Sequence, residues 1–111
     1  MDLPANAFKA ALKRGELQIG LWSSLCSPIV SEIISQSGFD WILVDTEHSP
    51  NEPPDVLAQL QALKGGTATP IVRPAWNDAV LLKRLLDIGV QAVLVPFVQN
   101  AKEARKAVAA C

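Results

Sequence analysis

The sequence predicts a parallel α/β fold made of repeated β-α units, corresponding to about the first half of a (β/α)₈ TIM barrel. Short apolar runs alternate with amphipathic helical stretches, and the apolar runs centre near residues 19, 43, 72 and 94. A spacing of roughly 22 to 29 residues is typical of parallel α/β folds rather than of hairpins. Two segments, 38–45 and 89–96, also share one pattern, in which a helix-ending glycine leads into three apolar residues and a turn.

The first predicted elements are a lead-in helix and one β-α unit. Residues 5–14 have an amphipathic helical pattern that stops at Gly15. The compact apolar run 17–22 predicts a strand. Ser27 then provides an N-cap with Pro28 at the first helical position, which predicts the helix that follows.

The second and third units follow the same order. Gly38 ends the preceding helix, and residues 39–44 do not alternate apolar and polar positions, which is typical of a strand buried on both faces. Residues 51–64 carry one apolar helical stripe that a glycine pair interrupts at 65–66. The segment 70–73 is the third predicted strand.

The fourth unit and a last helix complete the pattern. An Asn-Asp pair at 77–78 caps a helix that Gly89 ends, and residues 92–96 form the fourth predicted strand. A capping box at Asn100 opens a helix that continues to Cys111 without a stop signal. We therefore expect residues 1–111 to be the N-terminal half of a single barrel domain, whose usual length is about 250 residues. A flavodoxin-like open sheet, normally with about five strands, is the alternative.

The composition narrows the class of protein. The chain is 50% hydrophobic and 19% charged, with a formal net charge of −1, which indicates a soluble globular protein and argues against disorder and unspecific nucleic-acid binding. The most hydrophobic run, 92–98, is too short for a membrane span, and residues 1–4 lack the features of a secretory signal. Two cysteines, Cys26 and Cys111, are too few for a disulfide scaffold, so we expect a cytoplasmic protein.

Functional side chains of parallel α/β folds collect just after the carboxyl ends of the strands. Here those positions are occupied by Ser23-Ser24, Asp45-Thr46-Glu47-His48, Arg73-Pro74-Ala75-Trp76-Asn77 and Phe97-Val98-Gln99. The sole histidine of the chain is among them.

Asp45 and His48 are spaced for an acid/base pair. A histidine held by a carboxylate can take and return a proton during turnover, because its pKa lies close to neutrality. The alternative is a loop histidine that only satisfies local backbone groups. Glu47, between them, is expected to be structural or solvent-facing.

Arg73 is the candidate anion-binding residue. Its planar guanidinium suits a carboxylate or enolate oxygen, and the alternative is a surface salt bridge. Trp22 and Trp76 are interpreted as packing residues that could also wall a pocket. Cys26 is interpreted as a small buried side chain. The sequence contains no spacing typical of a nucleotide or zinc site.

Four segments together resemble the HpcH/HpaI aldolase family, and especially its 4-hydroxy-2-oxoheptanedioate and 2-dehydro-3-deoxyglucarate aldolases. The D-x-E-H and V-R-P-x-W-N-D motifs are the most specific parts of this resemblance. The segments are Gln18–Trp22, Gly38–His48, Pro70–Asp78 and Leu94–Asn100.

The resemblance implies a (β/α)₈ barrel that performs reversible, metal-dependent (class II) aldol cleavage of 4-hydroxy-2-oxo acids to pyruvate and an aldehyde, as in the catabolism of aromatic compounds. It implies that His48, oriented by Asp45, is the acid/base for the 4-hydroxyl proton. Arg73 would stabilise the pyruvate enolate through its keto oxygen, and Trp22 would line the substrate pocket.

The resemblance also implies a divalent metal ion, Mg²⁺, Mn²⁺ or Co²⁺, held by a Glu and an Asp in the second half of the barrel. No residue of this chain inherits those roles, and Glu47 is not assigned as a metal ligand. Family members exchange a final helix between subunits, so a homo-oligomer such as a hexamer is expected for the full-length form. The 111-residue chain by itself is expected to be inactive.

Two other functions stay open at this point. One is a non-catalytic half-barrel that associates through its exposed sheet edges. The other is a related lyase that acts on acyl-CoA substrates, although Asp45 and His48 next to Arg73 favour the short-chain aldolases. The aldehyde, the preferred metal and the origin of the truncation are left undetermined by the sequence.

Overall fold

The computed structural model describes residues 5–111, so the expectation about a secretory signal at residues 1–4 lies outside the described residues. Helices and strands alternate as the sequence predicts as far as the fourth helix, after which a fifth helix follows without an intervening strand. In chain order they are α1 (Ala7–Lys13), β1 (Gly20–Ser23), α2 (Pro28–Ser35), β2 (Trp41–Asp45), α3 (Pro53–Leu63), β3 (Thr69–Arg73), α4 (Ala79–Asp87) and α5 (Ala101–Ala109). None of the helices within 5–111 is long and apolar enough to cross a membrane.

The predicted helix starts are confirmed by side-chain caps. Ser27 accepts from the backbone of α2, Asp78 from that of α4 and Asn100 from that of α5. Such caps satisfy N–H groups that have no partner inside the helix. The start of α3 differs slightly from the prediction, because the carboxylate of Asp55 accepts from the Glu52 N–H at 2.9 Å. The last helix ends at Ala109, short of the predicted Cys111.

The three strands form a parallel sheet in the order β1-β2-β3, with β2 in the centre. A flavodoxin-like sheet places β1 between its second and third strands, so this order excludes that alternative. The chain after α4 continues the sequential order, because Val93 pairs in parallel with Val72 on the outer side of β3.

The predicted fourth strand, 92–96, is wrong as a strand and is present only as this single bridge. Val72 makes two backbone hydrogen bonds with this segment. Its N–H donates to the oxygen of Ala92 at 3.0 Å, and its own oxygen accepts from the N–H of Leu94 at 2.9 Å. In a strand, the backbone groups of residues two positions apart point to the same edge. The residues two positions before and after Val72 are Pro70 and Pro74. Because proline has no N–H, neither position can donate to residues 92–96, and the ladder is limited to this one bridge.

The two faces of the sheet have different surroundings. One face packs against helices in a core that contains Ile42, Val44 and Val72 together with residues of α3 and α4. The opposite face carries Trp22, Leu43 and Ile71, since residues paired in register point to the same side. An apolar groove runs along that face, and its lining includes Phe8, Leu12, Trp41, Leu43, Ile71 and Leu94.

Helix α1 reaches only the amino end of this second face. Its Phe8 ring meets the Trp41 ring edge to face, with 6.3 Å between centroids. Gly20 is required below this contact, because a Cβ there would lie 1.9 Å from the Trp41 ring. The carboxyl end of the same face is left for polar side chains.

Candidate active site

The register of the sheet brings Asp45 and Arg73 together. They are partners in the last pair of the β2-β3 ladder, so their side chains leave the carboxyl end of the sheet side by side. Trp22 pairs with Leu43, two residues before Asp45, and therefore lies on the same face. The structure thus brings together three of the four side chains that sequence analysis selected.

Asp45 and Arg73 form a two-point ion pair. Nε of Arg73 donates to Oδ1 of Asp45 at 2.9 Å, and Nη2 donates to Oδ2 at 2.6 Å. The side chains are 2% and 17% exposed, respectively. A paired geometry of this kind fixes the plane of the guanidinium as well as its position. The alternative of a surface salt bridge for Arg73 does not fit this burial.

Three further N–H groups donate to Asp45. They are Nε1 of Trp22 at 3.3 Å and the backbone N–H groups of Glu47 at 2.9 Å and His48 at 3.4 Å. Burial by itself raises the pKa of Asp45, but the bonds from Arg73, Glu47 and Trp22 and the guanidinium charge outweigh it and hold that pKa well below its usual range. Asp45 is therefore a fixed anion. The same contact raises the pKa of Arg73.

Trp22 contributes a ring as well as a donor. The guanidinium carbon of Arg73 lies 4.8 Å from the centroid of the Trp22 ring, a cation-π distance. The ring is 43% exposed, so it packs on Arg73 and still presents apolar surface at the carboxyl end of the sheet. This position suits the predicted role of Trp22 in lining a pocket, which stays a prediction.

The predicted contact between Asp45 and the His48 imidazole is not formed. Asp45 reaches only the backbone N–H of His48, because Arg73 and Trp22 occupy its carboxylate. The imidazole is 73% exposed, and its Nε2 lies 3.6 Å from Oε1 of Glu47. His48 therefore stands at the edge of the Asp45-Arg73 pair with its ring open to solvent.

Glu47 is the residue that sequence reasoning missed. Of its two expected roles, structural or solvent-facing, the solvent-facing one is wrong, because Glu47 is 16% exposed and its Oε2 lies 2.9 Å from Nη1 of Arg73. The spacing of two residues from Asp45 was the one signal that could have indicated a shared side. Two carboxylates against one guanidinium give this cluster a formal charge of −1 when the imidazole is neutral.

A buried polar chain anchors the loop after β2. Nδ2 of Asn51 donates to the backbone oxygen of Asp45 at 2.7 Å, and the hydroxyl of Ser49 donates to the same oxygen. Gln59 in α3 donates to Asn51 at 2.7 Å and accepts from Ser31 in α2 at 3.2 Å. Satisfied buried networks are rigid, so two helices fix the loop that carries Glu47 and His48.

Three further residues lie at this end of the sheet, and of these Cys26 differs from its expected role. Trp76 is 52% exposed and stacks on Phe97, with 5.3 Å between ring centroids. Phe97 has a φ of 55°, a left-handed conformation that costs energy in a residue with a side chain. Cys26 also has a positive φ, of 52°, and is only partly buried rather than buried as expected.

The described residues do not fit a metal site of their own. Within residues 5–111, no three His, Cys, Asp or Glu side chains come close enough to hold a metal ion. Asp45 and Glu47 are both engaged by Arg73. Any divalent cation at this site would need ligands from other residues.

Residues 18–111 match the sequence profile of a family described as HpcH/HpaI aldolase/citrate lyase. The chain belongs to this family. The predicted resemblance is thereby confirmed, and the D-x-E-H and V-R-P-x-W-N-D motifs that carried it coincide with the cluster around Arg73.

Two curated relatives of this family member are named aldolases. The chain is 58% identical over 105 residues to the 4-hydroxy-2-oxo-heptane-1,7-dioate aldolase of Klebsiella pneumoniae, covering 95% of this chain and 40% of that protein. It is 56% identical over 110 residues to the pyruvate aldolase of Rhizobium etli, covering 99% and 43%. The chain therefore spans about 40% of the length of the curated relatives it matches.

Solved structures show the same fold. A crystal structure of an HpcH/HpaI aldolase/citrate lyase family protein from Burkholderia cenocepacia superposes with a TM-score of 0.92 at 34% identity. The match covers 96% of this chain and 42% of that one.

Proposed function

We propose that this chain is the N-terminal half of a (β/α)₈ barrel that cleaves 4-hydroxy-2-oxo acids to pyruvate and an aldehyde. The sequential strand order and the placement of α2, α3 and α4 on one face support a barrel, since an open doubly wound sheet has helices on both faces. This chain covers about 40% of the length of each relative, which supports its assignment as one half of the barrel. On this proposal the apolar groove of the second face belongs to the barrel interior.

The observation that carries the proposed reaction is the two-point clamp of Asp45 on Arg73. Asp45 takes Nε–H and one N–H of Nη2, and Glu47 lies against Nη1, so the second N–H of Nη2 is left to donate to a substrate oxygen. Cleavage of a carbon-carbon bond next to a keto group places negative charge on an enolate oxygen. A guanidinium that is already held in place stabilises this charge as it develops, without reorganisation.

His48 is proposed as the acid/base. Its exposed imidazole stands beside the Arg73 cluster and takes the proton of the 4-hydroxyl as the bond breaks. Glu47 Oε1, rather than Asp45, is the carboxylate oxygen close to this ring. Trp22 supplies an apolar wall that helps to exclude water from the enolate.

The proposed activity is metal-dependent, with Mg²⁺, Mn²⁺ or Co²⁺ held by residues beyond this chain. The described residues do not form such a site, so the roles of Arg73, His48 and Trp22 are argued without it. The family-length protein is further proposed to be a cytoplasmic homo-oligomer. The aldehyde is proposed to be a short-chain one, as the names of the relatives suggest.

The test uses a family-length protein, made by joining this chain to the remaining C-terminal residues of the Klebsiella pneumoniae relative. Pyruvate release from 4-hydroxy-2-oxoheptanedioate is followed with a coupled dehydrogenase, with and without Mn²⁺ and a chelator. Metal-dependent release above a metal-only control is expected. A folded family-length protein without such release would contradict the proposal.

Two controls assign the activity to this chain. The C-terminal residues of the relative, without this chain, are expected to release no pyruvate, and so is the 111-residue chain alone. Arg73→Lys in the family-length protein is compared with Arg105→Lys, the same change at an exposed position of α5. Only the change at Arg73 is expected to lower the rate.

A further inference from the structure

The guanidinium of Arg73 is contacted on three sides. Asp45 holds one edge through Nε and Nη2, and the Trp22 ring lies against one face at 4.8 Å. Glu47 approaches the remaining nitrogen, Nη1, at 2.9 Å. The Asp45 contact sets the plane of the group, and the motion that remains is a rocking of the opposite end within that plane. The contact of Glu47 with Nη1 limits this rocking.

Glu47 is itself well fixed. Its backbone N–H donates to Oδ1 of Asp45 at 2.9 Å, and its side chain is 16% exposed. The loop that carries it is tied to α3 through Asn51 and Gln59. Because the Glu47 carboxylate is held in place, it can fix the position of the Arg73 guanidinium that it contacts.

We propose that Glu47 is a positioning residue, which sets the angle at which Arg73 meets the developing enolate oxygen. This inference rests on the aldolase function proposed above. Glu47 does not touch substrate in this proposal. Its negative charge opposes the binding of an anionic acid, so its benefit lies in the geometry of Arg73 and appears in the turnover number.

This distinction yields a specific kinetic expectation for Glu47→Gln in the family-length protein. The substitution keeps the shape and one acceptor oxygen but removes the charge that attracts Nη1. We expect kcat to fall by about 10- to 100-fold, because small misplacements of a positioned group have effects of this size. KM for the 2-oxo acid is expected to stay equal or to fall. Unchanged kcat with a lower KM would make Glu47 a simple repulsive charge and overturn the proposal.

Two further variants separate position from charge. Glu47→Asp keeps the charge but moves it back by the length of one methylene group, and we expect its kcat to be as low as that of Glu47→Gln. A kcat equal to that of the parent would show that the charge alone matters. Glu47→Gln placed on top of Arg73→Lys is expected to change kcat by less than about twofold, since residues acting through one another are not additive. Losses that multiply would mean that Glu47 acts independently of Arg73.

A stability measurement tests the contact without any activity. The midpoints of thermal unfolding are compared for the parent, Glu47→Gln, Arg73→Lys and the double variant, with Glu32→Gln as a matched control on the exposed side of α2. Non-additive shifts for the Glu47-Arg73 pair are expected, and additive shifts would contradict the contact. If the parent releases no pyruvate while the shifts are non-additive, the proposed function fails and the contact stands.

Discussion

Replacing Asp45 by Asn tests whether the Asp45-Arg73 pair holds the carboxyl end of the sheet together. Five N–H groups converge on the two oxygens of Asp45, from Trp22, Glu47, His48 and twice from Arg73. An amide keeps one acceptor oxygen and replaces the other by an NH₂ donor. Placed at the Oδ2 position, that donor faces Nη2 of Arg73 and Nε1 of Trp22.

The cost follows from these contacts. The loss of one charge-assisted hydrogen bond from Arg73 is worth about 1.5–3 kcal/mol, and the Trp22 bond adds about 1 kcal/mol. The guanidinium, 17% exposed, also loses half of its two-point partner. We expect Asp45→Asn to lower the free energy of unfolding by about 2.5–4 kcal/mol, which overlaps the range for breaking a buried ion pair. This is a large part of the stability of a small domain.

Urea denaturation followed by circular dichroism measures this difference at pH 7 and at lower pH. Because the folded-state pKa of Asp45 lies well below its usual range, the stabilisation is complete above the unfolded pKa of about 3.9 and is lost as pH falls towards the folded pKa. The parent and the variant are therefore expected to converge in acid. Asp87→Asn, the same change at an exposed position of α4, should shift stability by less than about 0.5 kcal/mol.

A difference between parent and Asp45→Asn below about 1 kcal/mol at pH 7 would refute the reasoning. So would a difference that persists unchanged at pH 3, because protonation of Asp45 in the unfolded state should already have reduced it.

Three other expectations concern catalysis and packing. In the family-length protein, His48→Ala should lower kcat by about 10² to 10⁴, as for a lost general acid/base, with little change in pyruvate binding; equal rates would leave His48 a loop residue. Arg73→Lys keeps the charge but loses the fork that Asp45 holds, so steady-state kinetics should show lower kcat and kcat/KM, whereas a change in KM alone would indicate uniform binding. Gly20→Ala places a Cβ inside the Trp41 ring and should lower the free energy of unfolding, measured by urea denaturation, by about 1–3 kcal/mol. The control Gly65→Ala should change it little, and equal stabilities of the two variants would mean that the ring moves freely.

Local signals in the sequence were sufficient to predict most of the helices and strands of the fold. The caps at Ser27, Asp78 and Asn100 start helices where they were predicted, because capping depends on residues within one helical turn. The fourth strand failed for a reason that is also local, since Pro70 and Pro74 flank Val72 on one strand edge. The proline spacing was visible in the sequence, but its effect depends on which neighbour that edge meets.

The site was less predictable than the fold. Asp45, Arg73 and Trp22 were selected because they lie at strand ends, and the sheet does bring them together. Which partner Asp45 would take was not predictable from spacing, since the choice between His48 and Arg73 depends on a cross-strand register between residues far apart in the chain. Glu47 was missed for the same reason, because its partner Arg73 lies on the next strand.

The proline pair around Val72 also affects how separate copies of the chain can meet. A strand edge with regularly spaced N–H donors is a template on which a second molecule can add a strand, the first step towards aggregation. On the outer side of β3, three consecutive outward positions offer one donor, which Ala92 already takes. Protection against unwanted strand addition is thus built into residues 70–74, and replacing Pro70 and Pro74 by valine would restore a donor on either side of the one that Ala92 occupies.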